Sequence, residues 1–411
     1  MIRRFSLYGF LKNQRYYEPF IILFFLQHGL SFTQIGFLIG FREVCINLFE
    51  IPSGAIADLY GRRRSMMLSF LSYIAAFALF GFGQAYWHFF IAMFFFAIGE
   101  AFRTGTHKAM IFTWLRLQGR LDEKTKVYGY TRSWSKLGSA FSIILATGLV
   151  LLTNNYTAIF FFSIVPYLLG LLNIMTYPKE LEGQPSSDMR LRNIFLHLWD
   201  ALLESVKIKR LRRLIVESMA FEGVFKAIGD YLQPILGTIA ILLPVFLAFG
   251  EFRRTAIIAG TVYFILHLAS AYASRNSYRV AEYMGSEEKG SHLLWRIVGS
   301  IYIVLIPLLF FEWYYIAVIG FIGLHIIQNF WRPIQISRFD SFATETKGAT
   351  ILSIESQAKS VSTMIVAPLM GWAVDMVLAR NLGGEFWPVG AIAASVSIFI
   401  LISSTHSRKD S

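Results

Sequence analysis

The sequence predicts an all-α integral membrane protein of twelve transmembrane helices in two six-helix bundles, with both termini cytoplasmic. Three observations carry this prediction. Hydrophobic residues make up 55% of the 411, and only 16% are charged, against about 25% in an ordinary soluble domain. Long apolar stretches recur along the chain between short polar turns, near the roughly 20 residues that a helix needs to cross a bilayer. The lysines and arginines responsible for the net charge of +12 gather on alternate connections.

Each span is read as an apolar stretch bounded by polar or turn-forming residues. In order they are 8–26, 34–56, 64–84, 87–112, 127–152, 157–177, 211–233, 256–274, 292–311, 313–336, 349–376 and 387–404. The first follows Arg3 and Arg4, and the second runs down to Arg62, Arg63 and Arg64, where the third begins. The fourth is rich in phenylalanine, the fifth closes on the apolar run 139–152, and the sixth ends before Lys179. The seventh opens after the longest polar interval of the chain. The apolar 235–250 beyond it should lengthen it outward, because Pro234 and Pro244 interrupt any further span. The eighth to eleventh alternate with connections at 275–289 and around Lys347, and the twelfth centres on 391–402.

One side of the membrane takes Arg3, Arg4, the 62–64 cluster, the basic residues of 116–126, 179–213 and 275–289, Lys347, Arg408 and Lys409. The other takes Arg253, Arg254 and Arg380. By the positive-inside rule the basic side is cytoplasmic, which requires an even number of spans. The basic excess is therefore a topological label, and no nucleic-acid partner is expected. The chain reads as a monomeric multi-pass protein of a cell membrane, a bacterial inner membrane, with no cofactor and no metal. No cleavable signal peptide is expected, and the single cysteine, Cys45, permits neither an internal disulfide nor a cysteine metal cluster.

The interval 179–210 separates an N-terminal bundle, 1–178, from a C-terminal bundle, 211–411. After a turn-rich stretch with Gly183, Pro185 and Ser186, residues Ile194, Leu198, Ala201, Leu202 and Ser205 recur at helical spacing, with Asp200, Glu204 and Lys207 elsewhere on the wheel. That pattern predicts an amphipathic helix on the inner membrane surface.

After the second span stands Gly54-Ala55-Ile56-Ala57-Asp58-Leu59-Tyr60-Gly61-Arg62-Arg63-Arg64. It resembles the G-x-x-x-D-x-x-G-R-R/K motif of the major facilitator superfamily, in the expected place between spans two and three. The resemblance implies that family's fold and a transporter working by alternating access. It gives Gly54, Asp58, Gly61 and Arg62 the role of a cytoplasmic gate, while Arg63 and Arg64 anchor the loop. Physical chemistry offers reasons of its own. Gly54 permits close approach of a neighbouring helix, Gly61 suits a turn, and Asp58 beside three arginines can pair with a cation or face a helix N-terminus. The counterpart loop of the second half, 275–285, keeps arginines and a glycine but has no aspartate. No proline lies between Gly129 and Gly148, where the drug antiporters of the family carry G-x-x-x-G-P-x-x-G-G.

Charges inside spans are the candidate site, since each costs about 2.5–3.5 kcal/mol at the centre of a helix. Span one carries Lys12, Arg15 and Glu18; span two Glu43, Asn47 and Glu50, with Arg42 pointing away from Glu43. Span four carries Glu100, Arg103, Thr104, His107 and Lys108 as one stripe at helical spacing. Span five adds Arg132, Ser135, Lys136 and Ser139, and span seven Glu222, Lys226, Asp230 and Gln233. Span ten adds His325, Gln328, Asn329 and Arg332, and span eleven Glu355, Ser356, Lys359 and Ser362. Spans three, six, nine and twelve are largely apolar, as their outward position in the family fold implies.

Glu18, Glu43, Glu50, Glu100, Arg103, His107, Lys108, Arg132, Lys136, Glu222, Lys226, Asp230, Arg332, Glu355 and Lys359 are therefore the candidate substrate or proton-coupling residues. Local pairs are the alternative for Glu222 with Lys226, Glu355 with Lys359 and Glu100 with Arg103. Lys12, Arg132 and Arg338 lie where a long stem can carry the charge to the interface. Trp114, Trp134, Trp199 and Trp295 read as interfacial anchors, and Pro368 as a bend in span eleven.

Glu18, Glu100 and Glu222, expected near mid-membrane beside cations, suit proton exchange, because burial favours the neutral acid and a neighbouring cation the anion. The basic surplus points to a small polar solute, anionic or zwitterionic, moved with protons. The alternative is efflux of amphipathic drug-like compounds, favoured by the aromatic content. An enzyme is not expected: there is no zinc-protease, nucleophile-elbow or phosphate-loop motif.

Overall fold

The computed structural model describes residues 1–182, 207–243, 245–246, 248–340 and 348–406. Every regular element among them is a helix, and nine helices are long and apolar enough to cross a membrane. Most of the expected amphipathic helix, with Trp199, lies outside the described residues, as do Pro244, Lys347, Arg408 and Lys409.

The chain forms two compact units. The first comprises Met1–Phe24, Phe41–His197 and Ala259–Phe264; the second comprises Phe25–Gly40, Leu198–Ile258 and Ile265–Ser411. The first half of the chain runs through α1 (Ile2–Lys12), α2 (Ile21–Gln27), α3 (Phe32–Tyr60), α4 (Arg62–Phe82), α5 (Tyr86–Arg103), α6 (Thr106–Leu117), α7 (Lys124–Thr153) and α8 (Ala158–Met175).

Two predicted spans of this half are interrupted. Span one stops at Lys12 and resumes at Ile21. Pro19 cannot donate a backbone hydrogen bond, while the side chains of Asn13 and Gln14 compete for carbonyls, at Gly9 (2.6 Å) and Gly138 (3.2 Å). Span four breaks after Arg103. Gly105 adopts φ +77 with nothing within 4 Å of where a Cβ would stand, so its glycine serves the backbone turn and no packing contact. The stripe expected on span four therefore belongs to two helices.

Aromatic rings fill the first unit. Phe160 meets Phe24 and Phe80 at centroid separations of 4.6 and 4.8 Å, and Tyr167 meets Tyr73 and Phe77 at 5.0 and 4.9 Å. Lipid tails are as apolar as these rings, so the contacts act through close packing. At Gly138 a Cβ would stand 2.5 Å from the Phe10 carbonyl oxygen, which fixes α7 against α1.

The second half runs through α9 (Lys209–Ser218), a π turn (Met219–Gly223), α10 (Val224–Gly229), α11 (Leu232–Leu242), α12 (Glu251–Arg275), α13 (Ser277–Met284), α14 (Glu287–Phe310), α15 (Tyr314–Asp340), α16 (Gly348–Arg380) and α17 (Trp387–His406). Span seven is thus divided like span one, and α11 continues the helical run to Leu242. Phe221, in the π turn, lies flat on Trp331 (4.1 Å, 4°) and edge-on to Trp295 (5.1 Å).

This packing corrects two expectations. Trp295 is 2% exposed and is a core residue, not an interfacial anchor. Arg338 does not snorkel. It donates to Glu217 (2.7 Å), Ser291 (3.0 Å) and Gln335 (2.8 Å), which satisfies its charge inside the unit.

The start of α3 packs on α16 within the second unit. A Cβ at Gly36 would stand 2.5 Å from the Ala367 carbonyl oxygen, and one at Gly371 2.1 Å from that of Phe32. Beside this seam both oxygens of Asp375 accept first-turn amides of α3, from Phe32 (3.0 Å) and Thr33 (2.8 Å). A carboxylate on these otherwise unpaired amides also meets the positive end of the helix dipole.

Candidate functional site

Within the first unit α1, the α5–α6 break and α7 enclose a cavity of about 450 Å³. Its wall carries Lys12, Arg103, His107, Lys108, Arg132 and Lys136, with Tyr8 and Tyr128, and neither an aspartate nor a glutamate among the described residues. Arg103 is paired: Glu100 accepts hydrogen bonds from both Arg103 and the Tyr73 hydroxyl. The other four cations, Lys12, Lys108, Arg132 and Lys136, have no carboxylate within 4.0 Å among the described residues. Lys12 lies 5.8 Å from the centre of the Tyr8 ring, and Lys108 5.5 Å from that of Tyr128. These aromatic faces offset only part of the charge.

The break in span four creates this concentration. Arg103 ends α5, and His107 and Lys108 stand in the first turn of α6. His107 is built into the wall, stacked on Tyr8 at 3.7 Å and 17°, with Nε2 3.3 Å from the Tyr177 hydroxyl. On α7, Arg132 and Lys136 follow one another at i, i+4 on one face.

The second unit holds a balanced network instead. Arg332 donates twice to Glu355, once at 3.1 Å, and Lys359 lies 3.3 Å from Glu355 and 3.8 Å from Glu222. Arg332 reaches Glu222 at 4.0 Å, and Gln328 donates to it at 2.8 Å. Three predicted spans therefore converge here. The local pairs Glu100 with Arg103 and Glu355 with Lys359 form, whereas Glu222 turns to neighbouring helices. Gly223 makes this possible, because a Cβ there would stand 2.4 Å from that of Ser362.

The remaining candidates lie elsewhere. Glu18, Glu43, Glu50, Lys226 and Asp230 do not line the cavity. Glu43 is fully buried and pairs with Arg42 at 3.0 Å. The expectation that Arg42 points away from it is thus corrected, since the long guanidinium stem curls back across the helix surface. His325 bonds locally, Nδ1 lying 2.9 Å from the Phe321 carbonyl oxygen.

In the 54–64 motif Gly61 takes φ +97 at the start of α4. Arg62 donates to the Thr113 hydroxyl (2.9 Å), and Arg63 reaches Glu182 (3.1 Å) and the Tyr177 carbonyl (3.0 Å). No described neighbour comes within 4 Å of a Cβ at Gly54, so the close helix approach expected there is absent among the described residues. The Asp58 side chain lies outside the described residues. Sequence reasoning missed Tyr73, Glu217 and Asp375. The first is an uncharged hydroxyl in an apolar span, and the Arg338 partner of Glu217 and the Phe32 partner of Asp375 lie more than a hundred residues away.

Many membrane-crossing helices with charges turned into an internal cavity define a membrane transporter. The model of the Major Facilitator Superfamily matches residues 13–354, and the chain belongs to that superfamily. It is 21% identical over 393 residues to the MFS-type transporter YxaM of Bacillus subtilis (strain 168), covering 94% of this chain and 89% of that one. Its fold is similar to that of a variant of the nucleoside transporter NupG (TM-score 0.79, 12% identity, 98% of each chain). It is also similar to that of a POT family transporter bound to a thioalcohol-conjugated peptide (TM-score 0.71, 15% identity, 98% of this chain and 96% of the other). A D-xylose-proton symporter gives a TM-score of 0.68 at 13% identity, over 97% and 96% of the two chains.

Proposed function

We propose that this transporter moves a small anionic or zwitterionic solute by alternating access, coupled to protons, in a bacterial cell membrane. One observation carries the reading: the first-unit cavity presents Lys12, Lys108, Arg132 and Lys136 with no carboxylate within 4.0 Å among the described residues. Intramembrane charge is costly and is retained where it meets a solute, an ion or a partner. A cationic wall repels the lipophilic cations typical of drug efflux.

Coupling is assigned to the second-unit network. Glu222 and Glu355 share Arg332 and Lys359, so protonating one carboxylate frees a cation to re-pair with the other. The D-xylose-proton symporter among the structures of similar fold is in keeping with such coupling. Gly54, Asp58, Gly61 and Arg62 are proposed as the cytoplasmic gate.

Purified protein in proteoliposomes, given a panel of radiolabelled organic anions and an imposed pH gradient, tests the reading. Gradient-driven accumulation of an anion, abolished by Glu222→Gln, is expected. Accumulation of lipophilic cations alone, or anion flux indifferent to the gradient and to Glu222→Gln, contradicts it.

A further inference from the structure

We propose that the first-unit cavity seats a compact anion bearing at least two negative charges and no amine. Its headgroup is held at the interruption of span four, against the first turn of α6 and the side chains of Lys12, Lys108, Arg132 and Lys136. This rests on the anion-transport reading and narrows it to multivalent, acceptor-only solutes, the chemistry shared by dicarboxylates and phosphate monoesters.

The placement of the cations is the first argument. Arg132 and Lys136 are like charges at i, i+4, a spacing that destabilises a helix. Lys108 stands in the first turn of α6, where the helix dipole disfavours a cation. Both placements are unfavourable around water and favourable around an anion. Arg103 is occupied by Glu100, so the four remaining cations set the demand, and a single negative charge leaves most of it unmet.

The helix break is the second. Gly105 turns the backbone, no side chain caps α6, and the first amides of any helix lack intrahelical carbonyl partners. Thr104, Gly105, His107 and Lys108 all line the cavity, so this amide turn opens beside the cations. Backbone amides at a helix start bind phosphate and carboxylate oxygens.

The third is the absence of acidic side chains among the described lining residues. With no aspartate or glutamate on the wall, an ammonium group finds no counter-charge there. The wall therefore offers positive charge and amides to a ligand made of acceptors.

The test is thermal unfolding of the purified full chain in low-chloride buffer, titrated with acetate, β-alanine, succinate, inorganic phosphate and glycerol phosphate. Succinate or the phosphates are expected to stabilise at concentrations at least tenfold below acetate, with β-alanine no better than acetate. Whichever of succinate and the phosphates binds tighter identifies the source of the dianion. The double variant Arg132→Gln, Lys136→Gln should lose this preference, and Arg253→Gln, which removes a charge in the first turn of α12, should keep it. If the double variant fails to fold, Lys108→Gln serves the same comparison. Equal affinity for acetate and succinate, or β-alanine binding as tightly as succinate, overturns this inference while leaving the anion reading intact. Absence of binding by every anion overturns both.

Discussion

Replacing Glu355 with glutamine removes one charge and little else, since the two side chains are nearly isosteric. Glu355 is 1% exposed, accepts two hydrogen bonds from Arg332 and lies 3.3 Å from Lys359. Removing one partner of a buried ion pair costs about 3–5 kcal/mol, because the other charge is left without compensation. Glu222 remains at 4.0 Å from Arg332 and 3.8 Å from Lys359, which places Glu355→Gln near the lower end, at about 3 kcal/mol. Cys45 is buried, so a thiol-reactive dye reports unfolding of the detergent-purified protein directly. The midpoint should fall by several degrees. Adding Lys359→Met should recover part of the loss, because one cation and one carboxylate then remain. Pairs in direct contact are non-additive by about 0.5–3 kcal/mol. A single variant that unfolds with the wild type, or a double variant that sums the two losses, refutes the network.

Three further outcomes follow from the geometry. Asp375→Asn keeps an acceptor but loses the charge facing the start of α3; it should cost about 1 kcal/mol, and Asp375→Ala more, read by the same dye. Gly223→Ala should destabilise more strongly than either, because its Cβ overlaps Ser362 and overpacking costs about 1–3 kcal/mol. Glu385, in the connection before α17, has its carboxyl pushed above 4.5 by burial and by the nearby Glu312. Its folded state therefore holds the proton more tightly than the unfolded chain. The resulting stability is complete below the ordinary value and is lost as pH rises through the raised one. Glu385→Gln should flatten that fall in the melting temperature between pH 4 and 7, and an unchanged slope assigns it to other groups.

Much of the fold was legible because a membrane imposes a simple code. Apolar length marks the spans, basic loops mark the inside, and an intramembrane charge must face protein or water. The residues that meet in the cavity and in the Arg332–Glu355 network were accordingly visible as stripes. The breaks were harder to see. Gly105 reads as a tolerated helical glycine until its neighbours Thr104 and Thr106, whose hydroxyls return to the Glu100 and Phe102 carbonyls, are counted with it. Pro19 beside Asn13, Gln14 and Arg15 was the stronger signal of interruption in span one. Pairing outside the i, i+3 and i, i+4 positions of a helix was not legible. Helical-wheel angles separate Arg42 from Glu43, yet a flexible side chain joins them, and Arg338 meets Glu217 across 121 positions. Asp375 pairs with backbone amides, which a search for opposite side-chain charges cannot find.

The central claim, that the first-unit cavity is the anion site, is tested most directly by a crystal of the protein soaked with selenate, a dianion whose anomalous scattering marks its position. The account predicts one peak at the start of α6, within reach of Lys12, Lys108, Arg132 and Lys136. A map with no peak there, or with its strongest peak on Arg332 and Lys359, contradicts it.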